Sequence, residues 1–519
     1  MFFITEVGEP ALMKLHENPF THHIEHPGRL ETIEDVAKEL ELDFVGDNTT
    51  ATEVQILLAH TKEYIDIMAS TQTLSKEELR DFPEKHNFED IYVNNYTYQA
   101  SLKAAGCGIR AVEKVLETGK SGFAGLRPPG HHAGPSEASG FCYFNNVAIA
   151  AKHLVETHKD IDRVLIVDWD VHCGQGTQDC VAGDERIKLV NIFRHEQGTF
   201  WPYCKRTGIR ATDPKFKNTI NVPLHTVGFG NWDYLTMMHL IIHPIVKDWK
   251  PQFILVSCGF DAAFGDPEGD MKITPLGFAH MTRSLSTVQN DGKRIPVALF
   301  FEGGYFLPVV KQSFRRVCEA MESNGQLPVL ESHPLHEGLA AIIHRVHEAH
   351  RETFPHFDAL FKLVEKFKTF PPIEEVDKFL GRQPDVVEKD ACIIRTEEYE
   401  DELKRQLARI AVKEDPSVEI RNGGCEGERD PCNISIETNS KLEITFEEKD
   451  RTLFFKIPSS LEMIFTSTVL LSLNPSTVPN TSSTIPNDDH LAVLTDFINT
   501  HRKHPLFCNL PIMSICASK

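Results

Sequence analysis

The stretch "RVLIVDWDVHCGQG", residues 163–176, is the most informative part of this chain for its fold. After Arg163 it has an uninterrupted apolar run, residues 164–167, and then changes abruptly to mostly polar and glycine residues. The same plan recurs in "FILVSCGFD", residues 253–261, and in "VALFFEGGY", residues 297–305. Continuous apolar runs of strand length are typical of strands that are buried on both faces of a parallel sheet. The sequence therefore predicts at least three such strands.

Helix-like segments separate these runs between about residue 100 and residue 310. One of them starts at Thr274-Pro275, where a threonine N-cap precedes proline at the first helical position. This alternation predicts an α/β fold, with a central, mainly parallel sheet flanked by helices. Ligands of such sheets bind outside the carboxyl ends of the strands. Those ends bear five polar residues: Asp168, Asp170, His172, Asp261 and Tyr305.

The first of these strand ends has the pattern of a metal site. If the segment stays extended, Asp168, Asp170 and His172 point to one face and Cys173 points to the other. Asp261 would add a ligand from a second strand, and three protein ligands with an open position are the layout of a catalytic zinc site. Taken alone, the DxDxH triplet is more typical of a solvated strand end or of an alkaline-earth site, and the neighbouring segments are what favour zinc.

Two adjacent histidines add to this pattern. His131 and His132 follow a rigid Pro-Pro-Gly turn in "LRPPGHHAGPSEASGFCYFNNVAIAA", residues 126–151. Tandem histidines in a tight loop are costly to bury without partners. They suit general acid and base catalysis beside a metal-activated water.

Taken together, the motifs resemble the zinc-dependent histone deacetylase family. The chain is most similar to its class II branch, and within it to the class IIb, acetylpolyamine-deacetylase-like members. The resemblance covers roughly residues 10–340 and implies an arginase/deacetylase-like fold. It rests on these segments in this order: "HPGRL" (26–30), "AHTKEYI" (59–65), "RPPGHHA" (127–133), "GFCYFNNVAIAA" (140–151), "DWDVHCGQGTQ" (168–178), "GFDAAFGDPEGD" (259–270) and "EGGYF" (302–306).

The resemblance implies a set of metal ligands and one further cation. Asp170, His172 and Asp261 would be the ligands of Zn²⁺. Asp168 would hold His131 and contribute to the site of a structural monovalent cation, K⁺. Cys173 stands where relatives usually carry a second histidine, outside the zinc ligands.

The resemblance also implies the catalytic roles. His132 would act as general base and then as general acid, and His131 would assist as a second imidazole. Gln175 occupies the position that orients His132. Tyr305 would donate its hydroxyl to the carbonyl oxygen of the substrate, and its presence predicts an active enzyme.

Five residues are predicted to bind the substrate. The resemblance implies that Phe141 and one or both of Phe200 and Trp201 form the apolar walls of a tunnel for the alkyl chain of an acetylated amine, whereas the same aromatics read alone are more typical of a core. Glu268 matches the glutamate by which the acetylpolyamine branch attracts a second ammonium group, although a solvated loop glutamate is the alternative. Asp90 matches the aspartate at the rim of the family's tunnel. The entrance segment "ENPFTHHIEHPGRL", residues 17–30, departs from the short insert that narrows the entrance of the polyamine branch.

Together with these residues, the resemblance implies a zinc-dependent deacetylase that hydrolyses the acetyl amide of acetyl-lysine in proteins such as histones. An acetylpolyamine deacetylase, acting on compounds such as N8-acetylspermidine, is the alternative substrate reading. A catalytically weak deacetylase-like module in a repressor complex is an alternative of another class. A binuclear manganese ureohydrolase is disfavoured, because Ala263 stands where its second carboxylate is needed.

Composition limits the partners. The 519 residues include 54 basic and 75 acidic side chains, which gives a net charge of −21. Because this charge repels phosphate backbones, we expect no direct binding of nucleic acid. If the chain acts on chromatin, corepressor proteins would bring it there.

Twelve cysteines without a CxxC pair indicate reduced thiols and a cytoplasmic and/or nuclear location. The start "MFFITEVGEP" lacks a basic region, and the apolar segment 461–473 is shorter than the roughly 20 residues that span a bilayer, so no membrane segment is predicted.

The change in character after about residue 340 predicts two domains. Residues 1–345 would form the catalytic domain and residues 346–519 a C-terminal extension of unknown fold. "GLAAIIHRVHEAH" and "FDALFKLVEKF" are typical of amphipathic helices, and "KLEITFEEKDRTLFFKI" favours strands. An acidic stretch, "TEEYEDELKRQLARIAVKED", and a linker-like run, "LNPSTVPNTSSTIPNDD", complete this part.

Overall fold

A computed structural model describes residues 1–8, 11–209, 213–322, 327–328, 330 and 334–367, together with four short strands between residues 419 and 456. The chain divides into two compact units, residues 1–394 and residues 395–519. The predicted boundary of the catalytic domain at residue 345 stays a prediction.

The first unit is built around an eight-stranded sheet in which every pair of neighbouring strands is parallel. Its spatial order is β2-β1-β3-β10-β7-β4-β5-β6. A two-stranded antiparallel hairpin, β8 and β9, lies outside this sheet. The strands are β1 (Phe2–Glu6), β2 (Asp43–Asp47), β3 (Gly122–Ala124), β4 (Val164–Asp168), β5 (Ile187–Arg194), β6 (Thr219–Leu224), β7 (Phe253–Cys258), β8 (Gln289–Asn290), β9 (Lys293–Arg294) and β10 (Val297–Phe301).

Helices connect these strands. Single 3₁₀ turns lie at Thr71–Thr73, Glu196–Gly198, Lys205–Thr207 and Pro214–Phe216, and a π turn at Met238–Ile242. The α-helices are α1 (Leu12–Leu15), α2 (Gly28–Glu39), α3 (Glu53–Ile56), α4 (Lys62–Ser70), α5 (Lys76–His86), α6 (Thr97–Thr118), α7 (Asn146–Thr157), α8 (Gln175–Cys180), α9 (Asn231–Met237), α10 (His243–Trp249), α11 (Pro275–Ser286), α12 (Leu307–Glu322), α13 (Leu339–His350) and α14 (Pro355–Phe367).

The three apolar runs of the sequence form adjacent central strands. β4, β7 and β10 are buried at every residue, as expected of strands covered on both faces. β7 lies between the other two, so their carboxyl ends meet at one place on the edge of the sheet. Thr274 caps α11 as predicted, since its hydroxyl accepts a hydrogen bond from the Gly277 N–H at 3.3 Å. The predicted α/β fold with a flanked parallel sheet is confirmed.

The segments after residue 338 are helical and then extended where the structure describes them. α13 and α14 confirm the two predicted amphipathic helices. The second unit contains a four-stranded antiparallel sheet of β11 (Glu419–Asn422), β12 (Ile434–Glu437), β13 (Glu443–Lys449) and β14 (Thr452–Lys456). The strand-like segment 441–457 includes β13 and β14, whereas the acidic and linker-like stretches lie outside the described residues.

In the described part of the chain, no helix combines the length and the apolar character that crossing a membrane requires.

Candidate active site

The chain bends immediately after β4, and its own carboxylates stabilise the bend. The Asp170 N–H donates to Asp168 Oδ1 at 3.1 Å, and the His172 N–H donates to Asp170 Oδ1 at 2.9 Å. The extended conformation therefore ends at Asp168, and the expectation of regular strand alternation beyond it is wrong. Short carboxylate side chains compete with the sheet for backbone N–H groups in this way.

Asp170, His172 and Asp261 nevertheless converge. Their potential ligand atoms all lie within 4.8 Å of one another, and all three residues are buried. The His172 Nδ1 atom lies 3.3 Å from Asp170 Oδ1 and 3.2 Å from Asp261 Oδ2. Burial and the neighbouring Asp170 carboxylate raise the pKa of Asp261 to about 6. Two buried carboxylates side by side form a strong site for a cation.

Bare glycine backbone makes room for these carboxylates. A Cβ atom on Gly303 would lie 2.1 Å from Asp261 Oδ2 and 2.5 Å from Asp170 Oδ2, and one on Gly259 would lie 2.1 Å from Asp170 Oδ2. The Gly303 N–H donates to Asp170 Oδ2 at 2.8 Å. One imidazole and two carboxylates, with their oxygens fixed from outside, fit the ligand set of a catalytic zinc ion.

Cys173 lies outside this cluster, as predicted. Its Sγ atom accepts a hydrogen bond from Asn191 Nδ2 at 3.4 Å. Burial raises the pKa of the Cys173 thiol well above its ordinary value. Its sulfur atom is engaged with Asn191, and Cys173 is not part of the group of potential metal ligands.

The tandem histidines have opposite electrostatic surroundings. His131 Nδ1 lies 3.0 Å from Asp168 Oδ2, and its Nε2 lies 3.6 Å from Asp170 Oδ1. Although burial lowers it, the carboxylates of Asp170 and Asp168 raise the pKa of His131 to about 10. His132 instead pairs with the neutral Gln175, with Nδ1 2.8 Å from Oε1. Burial and the positive His131 hold the pKa of His132 well below its ordinary value, so near neutral pH one imidazole is cationic and the other neutral.

Glu302 fixes the turn that carries both histidines. Its Oε2 accepts hydrogen bonds from the Gly130 N–H at 2.8 Å and from the His131 N–H at 3.2 Å. Burial raises the pKa of Glu302 to about 7. Glu302 lies in the segment "EGGYF" but is not among the predicted site residues; its position directly after the buried strand β10 is the signal that points to it.

Two further residues, also without a predicted role, hold the loop of Tyr305. Asp266 Oδ2 accepts hydrogen bonds from the backbone N–H of Tyr305 at 2.7 Å and of Phe306 at 3.1 Å. Arg29 Nε donates to the Gly304 carbonyl at 2.7 Å, and its guanidinium lies 4.7 Å from the centre of the Tyr305 ring. Burial raises the pKa of the Tyr305 hydroxyl well above its ordinary value. The phenol therefore stays protonated and can donate.

Aromatic rings surround the imidazoles and Tyr305. Phe200 stacks on His172 with ring centres 5.3 Å apart, and Trp201 meets the His132 ring edge-on at 4.6 Å. Phe141 meets Tyr305 edge-on at 6.0 Å. The structure thus brings all three predicted tunnel aromatics to the site.

Phe141, one of the predicted tunnel residues, has a backbone φ of +65°. The Phe141 N–H donates to the Asp90 carbonyl at 2.9 Å, and the ring of His23 lies edge-on against the Phe141 ring at 4.6 Å. Such a conformation costs about 1–3 kcal/mol and is typical of functional loops. His23 belongs to the segment 17–30, which therefore reaches the aromatic wall despite its departure from the polyamine pattern.

Glu268, predicted to bind the substrate, is partly buried. Its N–H donates to Asp266 Oδ1 at 3.1 Å. Burial raises the pKa of Glu268, the positive His172 opposes this, and the negative Asp90 raises it further. Glu268 is therefore electrostatically coupled both to the metal cluster and to the predicted rim aspartate.

A buried Asp-His-Asp cluster and paired histidines lie together at the carboxyl edge of the parallel sheet, and this arrangement suits metal-assisted hydrolysis. The comparison with protein families then identifies the family. Residues 23–321, more than half of the chain, match the histone deacetylase domain. The chain belongs to the histone deacetylase family.

Individual relatives agree with this assignment and with the class II branch. The chain is 40% identical over 284 residues to the mouse protein polyamine deacetylase HDAC10, covering 54% of this chain and 41% of that protein. It is 38% identical over 282 residues to histone deacetylase 6 of Caenorhabditis elegans, covering 53% and 29% of the two chains. The match therefore spans less than half the length of these relatives.

The solved structure of an HDA15 HD domain superposes with a TM-score of 0.60 at 28% sequence identity, covering 70% of this chain and 99% of that domain. The arginase/deacetylase-like fold predicted from the motifs is confirmed.

Proposed function

We propose that this chain is a zinc-dependent deacetylase that hydrolyses the acetyl amide of acetyl-lysine in proteins such as histones. The observation that supports the proposal is a pair of histidines with unlike partners, His131 on the Asp168 carboxylate and His132 on the uncharged Gln175 amide, beside a buried Asp-His-Asp cluster. Hydrolysis of an amide needs a base for water and an acid for the leaving amine, and this arrangement supplies both near neutral pH.

Asp170, His172 and Asp261 would hold the zinc ion. When bound there, zinc supplies a Lewis acid and lowers the pKa of water from 15.7 to about 7. The residues around this site transfer protons and orient the reacting groups. The neutral His132 takes a proton from the attacking water, and Gln175, 2.8 Å away, keeps its ring in place.

His131 and Tyr305 stabilise the negative charge that develops on the substrate during hydrolysis. The cationic His131, held by Asp168 at 3.0 Å, stabilises the developing negative charge and supports protonation of the leaving amine. Tyr305 donates its hydroxyl to the carbonyl oxygen of the substrate. One such donor is typically worth about 2.7–4 kcal/mol in the transition state.

Phe141, Phe200 and Trp201 would grip the alkyl chain of the substrate and keep bulk water away from the imidazoles. Apolar walls lower the local dielectric and so strengthen the hydrogen bond from Tyr305. A potassium ion beside Asp168 remains a prediction, as do corepressor partners, the lack of direct nucleic-acid binding and a cytoplasmic and/or nuclear location.

Acetylpolyamines are the second candidate substrates, and one observation favours them. The Glu268 carboxylate and the exposed Asp90 act on each other near the entrance. Two neighbouring carboxylates attract an ammonium group farther along the substrate, which a polyamine has and the acetyl-lysine side chain lacks. The similarity to HDAC10, a protein whose name specifies polyamine deacetylation, points the same way.

Substrate kinetics of the zinc-loaded chain test both proposals. We expect turnover of an acetyl-lysine peptide or of N8-acetylspermidine, and its loss on chelation. If both substrates bind without turnover, the chain is instead the catalytically weak binding module. Glu268→Leu should shift selectivity towards the peptide, whereas Glu77→Leu, the same change at an exposed position in the first turn of α5, should leave it unchanged. Unchanged selectivity in Glu268→Leu would contradict a role in polyamine binding.

A further inference from the structure

A second group of potential metal ligands lies on helices α6 and α7, neither of which bears a residue of the candidate active site. Glu113 lies on α6, His153 on α7, and His158 caps the end of α7. Their ligand atoms lie within 4.8 Å of one another. Among the described residues, this is the one such group apart from the Asp-His-Asp cluster.

The two imidazoles aim the same atom at the same oxygen. His153 Nε2 lies 2.7 Å and His158 Nε2 lies 2.8 Å from Glu113 Oε1. On a regular helix, residues five apart point about 140° away from each other. His158 avoids this because its backbone leaves the helix with φ −108° and ψ 103°, which returns its ring to the side of His153. The end of α7 is therefore shaped so that both rings reach one carboxylate.

We propose that Glu113, His153 and His158 form a second zinc site, with water as the fourth ligand. Two histidines and one glutamate are a zinc ligand set, completed by an exchangeable position in open sites. In a tetrahedral site with bonds of 2.0–2.1 Å, ligand atoms lie about 3.3 Å apart. The present separations of 2.7 and 2.8 Å need to widen by only about 0.5 Å.

Exposure and charge suit this role. The side chains of His153, Glu113 and His158 are 12%, 28% and 32% exposed, so solvent reaches the group while packing limits its freedom. The nearby guanidinium of Arg110 is bound to Glu117 at 2.6 and 3.1 Å. That cation is therefore already paired, and the Glu113 carboxylate remains available to a metal.

Zinc content at equilibrium tests the proposal. The full chain is dialysed against a buffer of micromolar free zinc, and zinc per chain is measured by mass spectrometry. Glu113→Gln and His158→Ala should each hold one zinc fewer than the wild type. Glu156→Gln, the same amide change in a residue of α7 that pairs with Arg186 at 2.6 Å, should hold the wild-type number. Equal zinc content in the wild type and in either site variant would overturn the proposal.

The thermal transition and the turnover of each variant show whether it is folded and whether it keeps the catalytic ion. All three variants should keep the wild-type thermal transition and, if the chain is the proposed deacetylase, its turnover. With Co²⁺ in place of zinc, the catalytic cluster should absorb in both proteins, and the wild type should show an additional visible absorption, from a second cobalt ion, that Glu113→Gln lacks. Identical cobalt spectra would mean that the three residues are only a hydrogen-bonded trio, and the proposal would fail.

Discussion

Adding one methyl group at Gly303 should dismantle the candidate metal centre. The Cβ of Gly303→Ala would lie 2.1 Å from Asp261 Oδ2 and 2.5 Å from Asp170 Oδ2, whereas ordinary contact begins at 3.4 Å. The two oxygens must retreat by about 1.3 and 0.9 Å. Metal sites tolerate deviations of about 0.2 Å in ligand distance, and catalytic constellations about 0.5 Å. Two of the three ligands would therefore leave their working positions.

The expected loss of zinc affinity is at least about 10- to 100-fold, the range that follows removal of a single outer partner of a ligand. In free energy this is about 1.4–2.8 kcal/mol. Overpacking should in addition cost about 1–3 kcal/mol of folding stability. Zinc per chain at a buffered free concentration, the deacetylation rate and the urea midpoint measure the three effects.

Gly208→Ala is the matched control. A Cβ atom at Gly208 has nothing within 4 Å, and its backbone φ of −67° suits alanine. This variant should keep zinc, activity and stability. Full zinc content and activity in Gly303→Ala would refute the reasoning, because they would show that the two carboxylates can yield without losing the ion.

Three further outcomes are expected. Tyr305→Phe should lower kcat by about 10²–10³-fold, because one transition-state donor is lost, with zinc content unchanged; an unchanged kcat would remove Tyr305 from catalysis. Cys173→His should leave zinc stoichiometry unchanged while lowering the melting temperature, because the buried thiol, bonded to Asn191, leaves no room for a larger ring; an extra bound zinc would contradict this. Burial lowers the pKa of His60 to about 3, and the Asn145 N–H donates to its Nε2 at 2.9 Å, so the ring is neutral when folded and protonates near pH 6.5 when unfolded. Stability is therefore complete above about pH 6.5 and falls with pH below it, by about 2 kcal/mol from this residue at pH 5; equal urea midpoints at pH 7 and pH 5 would contradict it.

The central strands could be predicted from the sequence because their signal is local. An apolar run such as residues 164–167 predicts a strand that is buried on both faces, and this prediction needs no knowledge of the neighbouring strands. The motifs at the strand ends likewise predicted which residues meet, since parallel strands bring their carboxyl ends to one edge. Asp170, His172 and Asp261 were predicted together on that basis.

Asp170 and His172 converge, but not because side chains alternate along an extended strand. The chain bends after Asp168, because side-chain oxygens of Asp168 and Asp170 capture backbone N–H groups. Periodicity describes the strand and does not describe the hydrogen bonds that end it. The supporting residues Arg29, Asp266 and Glu302 were not predicted either. Each of them hydrogen-bonds to the backbone of a segment far away in the sequence, and a local pattern does not record such contacts.

The central strands, the family and the predicted metal and catalytic residues can thus be read from the chain as written. The charge of the two histidines follows only from the fold. His131 and His132 are adjacent and identical in type, yet one faces Asp168 and Asp170 while the other faces the uncharged Gln175. Protonation depends on distances through space and on burial, and neither quantity is encoded in the order of neighbouring residues.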